Sequence, residues 1–66
     1  MGEKWASNVS KDIIVRVETF KDGSVLLDVF DMDGKKEMVF QNVEEFEIFR
    51  NSINKLHLEV KKHHKK

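Results

Sequence analysis

The chain has 66 residues, with 12 basic and 12 acidic side chains, three histidines, no cysteine and no proline. A chain of this length builds one thin core from two packed layers and has little wall to enclose a reactive cleft. The missing cysteines exclude disulfides and zinc–thiolate sites, and the balanced charge is not the basic profile of a strong nucleic-acid binder.

The first residues, Met1 to Ser10, are mostly polar, with Trp5 their one large side chain. They read as an N-terminal arm over 1–11, in which Trp5 either stays free or packs back on the domain. No apolar run there has the length of a signal peptide, and none anywhere approaches the ~20 residues of a membrane span. The expected location is the cytoplasm.

From Asp12 to Phe20 the chain is rich in β-branched residues (Ile13, Ile14, Val15, Val17, Thr19), which favours a strand. Asp22-Gly23 follows, the dipeptide of a type I′ hairpin turn, which needs positive φ at both central residues. A second strand over Ser24–Asp31 leads to a second Asp-Gly at Asp33-Gly34, and a third strand over Lys35–Gln41 completes a meander across 12–41.

The period then changes. Val43, Phe46, Phe49, Ile53, Leu56 and Val60 recur in steps of three and four, one face of a helix over 42–62. Asn42 is an N-cap, and Glu45 three residues later fits a capping box. Glu44, Glu45 and Glu47 at the start, and Lys61 and Lys62 at the end, complement the helix dipole. Lys61 to Lys66 carries most of the positive charge of the C-terminal part, and 63–66 is expected to fray as a basic tail.

The expectation is therefore one α+β domain over 1–66, a three-stranded antiparallel meander packed on one face by a single C-terminal helix. Alternation assigns Ile13, Val15, Val17, Val25, Leu27, Val29, Met38 and Phe40 to the covered face, under Phe46, Phe49, Ile53, Leu56 and Val60. The opposite face carries Ile14, Arg16, Glu18, Phe20, Leu26, Asp28, Phe30, Glu37 and Val39. Ile14, Leu26, Phe30 and Val39 on a water-facing sheet either reflect β propensity or mark an interaction site. Ile48 and Leu58 lie off the helix stripe and either border the core or meet a symmetric partner.

No residue set carries recognisable chemistry. His63-His64 are adjacent, so they point about 100° apart on a helix, and lysines surround them. Asp31-Met32-Asp33-Gly34 opens like a calcium loop, but the twelfth position, which needs Glu, is Asn42. No nucleophile–base pair or phosphate-binding glycine loop is present, so the chain is read as non-enzymatic, without cofactor or metal.

The order of strand, Asp22-Gly23, strand, Asp31-Met32-Asp33-Gly34-Lys35-Lys36, strand ending in Phe40, and Glu44-Glu45-Phe46 opening a helix resembles the small arm-DNA-binding domain of tyrosine integrases. That resemblance covers about residues 13–60 and implies three strands, one helix, and DNA read by the exposed sheet face. Here that face offers Arg16 against Glu18, Asp28 and Glu37, carboxylates that repel phosphate. In size and architecture the chain also resembles the small accessory proteins of phages and mobile elements, many of which bind a protein.

The first functional expectation is a protein–protein interaction module, a regulator or inhibitor acting through the open sheet face or as a homodimer. Its contact residues are Ile14, Arg16, Glu18, Leu26, Asp28, Phe30 and Val39. The alternative is nucleic-acid binding through Arg16, Lys35, Lys36, Lys61, Lys62, Lys65 and Lys66.

Overall fold

The computed structural model describes residues 2–64. It is an α+β structure of four antiparallel strands and one C-terminal helix: β1 (Lys4–Ser10), β2 (Ile13–Thr19), β3 (Val25–Asp31), β4 (Gly34–Phe40) and α1 (Val43–His64). The strands pair in sequence order, β1-β2-β3-β4.

The sheet thus has four strands where three were expected. The segment read as an arm is edge strand β1, running from Lys4 opposite Glu18 to Ser10 opposite Ile13, with a bulge between Asn8 and Ser10. Backbone pairing rather than burial holds it, since every β1 residue is exposed. Its lower end is pinned twice to Thr19: the Thr19 N–H donates to the Glu3 carbonyl at 2.8 Å, and the Glu3 N–H donates to the Thr19 hydroxyl at 3.2 Å.

The two Asp-Gly turns differ from each other and from the type I′ expectation. Among the described residues only glycines have positive φ, Gly23 at 93° and Gly34 at 130°. In the first hairpin the Gly23 N–H donates to the Phe20 carbonyl and the Phe20 N–H to the Ser24 carbonyl, both at 3.0 Å. This is a three-residue loop, Lys21-Asp22-Gly23, with Gly23 as the left-handed bulge residue. The Asp22 carboxylate closes it by accepting from the Ser24 N–H (2.9 Å) and hydroxyl (2.7 Å). The second loop has two residues, Met32 and Asp33, between paired Asp31 and Gly34.

The helix begins where the sequence places it. Asn42 Oδ1 accepts from the Glu45 N–H at 2.8 Å, and Glu45 Oε1 accepts from the Gln41 N–H at 2.9 Å. At the other end it runs through His63 and His64, two residues read as fraying, and Lys65 and Lys66 of that tail lie outside the described residues.

The core is smaller than the apolar pattern promises. Among the described residues only Val25, Phe40 and Asp28 are buried. Phe40 anchors an aromatic corner, with ring centroids 5.3 Å from Phe46 and 5.2 Å from Phe49. Phe46 and Phe49 are half-buried; every residue from Arg50 to His64 is exposed. The expected packing of Ile53, Leu56 and Val60 on the sheet is therefore not what the chain does. A two-residue joint after β4, fixed by the Asn42 and Glu45 bonds, sends the helix past the sheet after its first two turns. The result is elongated, 47 × 27 × 16 Å.

Candidate interaction surfaces

Register decides which side chains share a face. Arg16 lies opposite Asp28, and Asp28 opposite Glu37; Ile14 pairs with Phe30, and Glu18 with Leu26, which pairs with Val39. All seven residues of the expected protein-binding set (Ile14, Arg16, Glu18, Leu26, Asp28, Phe30, Val39) thus lie on one face, the one away from the aromatic corner.

An ion pair occupies the middle of this open face. Arg16 donates from Nε (3.2 Å) and Nη2 (2.7 Å) to Asp28 Oδ2, while its guanidinium carbon stands 5.3 Å from the Phe30 ring centroid. The two ends of the pair are unequally solvated: the Asp28 side chain is 1% exposed, the Arg16 side chain 35%. Asp28 Oδ1 is buried without a hydrogen-bond partner among the described residues. Beside it, Lys35 Nζ lies 2.9 Å from Glu37 Oε2, and that hydrogen bond and charge raise the Lys35 pKa above its ordinary 10.5. Ile14 and Val39 are exposed at the margins, while Leu26 and Phe30 are half-buried.

The cations of the nucleic-acid alternative do not share a surface. Arg16 and Lys35 are on the open face with carboxylate partners. Lys36 lies opposite Val29 on the helix side, 3.7 Å from Asp31. Lys61 and Lys62 sit at the far end of the helix, and Lys62 is 4.0 Å from Glu59. Lys65 and Lys66 are outside the described residues.

The surface that sequence reasoning missed is on the helix side. Val15, Val17, Leu27 and Val29 are only half-buried there, and Met38 is exposed. Where the helix leaves the sheet, Leu27, Val29, Met38 and Phe49 line an apolar groove of about 240 Å³. Beyond it the stripe Ile53, Leu56 and Val60 stands in solvent, Leu56 at 60% exposure. The pattern did mark these residues as a face to be buried; nothing in it said that their own sheet would not bury them.

Among the described residues no group of three or more His, Asp or Glu is placed to hold a metal ion, and no helix is long and apolar enough to cross a membrane. Comparison with protein-family models, curated proteins and solved structures gives no match.

Proposed function

We propose that this chain is a non-enzymatic protein–protein interaction module whose binding surface is the apolar helix stripe together with the helix-side sheet groove. The observation that carries this reading is the amount of surface left in water. The chain exposes 5810 Å², against about 4,400 Å² for a compact monomer of its mass. Its radius of gyration is 13.9 Å, against about 11 Å for a compact domain of this length. The exposed surface includes an apolar run from the groove at Met38 along Ile53 and Leu56 to Val60, and apolar surface of this kind marks where polypeptides bind.

The open sheet face, expected to be the binding surface, is the less prepared of the two. Its centre is already filled by the Arg16–Asp28 pair and Phe30, and its most exposed apolar groups are at the edges.

An environment-sensitive apolar dye and small-angle scattering on dilute protein test the reading. An open surface predicts dye fluorescence and an extended particle, and Leu56→Asp should lower the fluorescence. A compact monomer of about 11 Å radius that leaves the dye dark would overturn it, because the helix would then have closed over its own sheet.

A further inference from the structure

We propose that the occupant of this surface is a second copy of the chain, paired about a two-fold axis with the helices antiparallel. The inference rests on the interaction-module reading and adds the partner and its geometry.

The helix stripe is a heptad seam. Phe46, Ile53 and Val60 fall at one apolar position and Phe49 and Leu56 at the other, spaced 3-4-3-4, the pattern that packs one helix against another. One half of the seam, Phe46 and Phe49, is seated on Phe40 of its own sheet; the other half is exposed, with no element packed on it among the described residues.

A parallel pairing would join only the free halves, about two heptads standing away from both sheets, a length at which helices are marginal in water. It would also leave the groove beside Phe49 open. An antiparallel pairing centred between Ile53 and Leu56 covers both surfaces. Ile53 then meets the partner's Leu56, and Phe49 meets the partner's Val60. The distal helix of each chain runs along the proximal helix of the other and roofs the groove formed by Leu27, Val29 and Met38. The fit in length is close: Arg50–His64 spans about 22 Å, and a seven-residue strand about 23 Å. The surface in excess of a compact monomer, taken over the whole chain, is roughly 1,400 Å², which leaves room for the ~800 Å² per partner of a standard interface.

The test combines sedimentation equilibrium with thiol crosslinking, which the cysteine-free sequence makes specific. In the proposed register Arg50 flanks the partner's His57. The protein should sediment as a dimer at micromolar concentration, and Leu56→Asp should weaken the dimer roughly a hundredfold while strand signals in circular dichroism persist. A mixture of Arg50→Cys and His57→Cys proteins should crosslink through a short bismaleimide, and neither variant should crosslink with itself. Self-crosslinking of either variant, or a dimer that survives Leu56→Asp and dissociates with Phe30→Asp, would overturn the proposal. A monomer that still binds the apolar dye would overturn the second copy as occupant but keep the interaction surface, whereas a compact, dye-dark monomer removes both.

Discussion

The two halves of the helix carry one pattern and meet two fates. In the first two turns Phe46 and Phe49 close on Phe40 and make the aromatic corner. In the remaining turns Ile53, Leu56 and Val60 repeat the same spacing with no sheet beneath them. The difference teaches that periodicity states which face must leave water, and leaves open whether the chain itself or another chain covers it. Stability of the monomer should therefore reside in the proximal half and association in the distal half.

The sharpest way to break this division is to cut the same kind of group from each half. Phe40→Ala removes the ring both proximal phenylalanines pack on and should cost about 3–5 kcal/mol, enough to unfold a domain of this size. Leu56→Ala, at an exposed site, should change the stability of the dilute monomer by less than about 0.5 kcal/mol. Urea denaturation of dilute protein measures both, and similar losses would mean that the distal helix is part of the monomer's core.

A second contrast sets the two ends of the ion pair on the open sheet face against each other. Arg16→Ala leaves Asp28 buried without its cation and should cost about 3 kcal/mol. Asp28→Ala leaves a guanidinium that can turn to solvent and should cost clearly less, by denaturant midpoint. Asp28→Ala, the milder change, should leave helix-mediated association undisturbed. At the joint, Asn42→Ala removes the cap on Glu45 and should cost about 1 kcal/mol, weakening association as well if the joint aims the helix.

The smallest effect is expected far from the helix. Hydrogen bonds from Ser24 hold the Asp22 carboxyl below its ordinary 3.8. The folded state thus binds this proton less readily than the unfolded chain. The resulting stability is present above the ordinary value and is lost as pH falls through the lowered one. In acid titrations followed by circular dichroism, Asp22→Asn should remove part of the low-pH loss and leave association at neutral pH unchanged.

Much of the architecture was legible because its signals are local. The two hairpins, the face assignment, the helix start at Asn42 and the α+β class follow from turn residues, alternation and caps. The Arg16–Asp28 pair was not legible for a reason of parity. A two-residue turn at Asp22-Gly23 would set Arg16 opposite Val29 and pair odd positions with even ones, placing apolar side chains on both faces. The three-residue loop sets Arg16 opposite Asp28 and keeps Val15, Val17, Leu27 and Val29 together. The alternation already demanded that loop, and the Asp-Gly signal masked it. Edge strand β1 escaped notice because Lys4–Ser10 carries only Trp5 and Val9 as large apolar groups and is held by backbone bonds, which no side-chain pattern records. The course of the helix past the sheet depends on the geometry of one short joint, which lies below what periodicity encodes.

Backbone amide hydrogen exchange at two protein concentrations, one well below the dissociation constant of the dimer and one well above it, tests the division of the helix most directly. Amides from Phe46 to Phe49 and in the central strands should be protected alike at both. Amides from Ile53 to Val60 should exchange fast in dilute protein and gain protection as concentration rises. Protection of Ile53–Val60 that is strong and independent of concentration would contradict it, placing the distal helix in the core of a single chain.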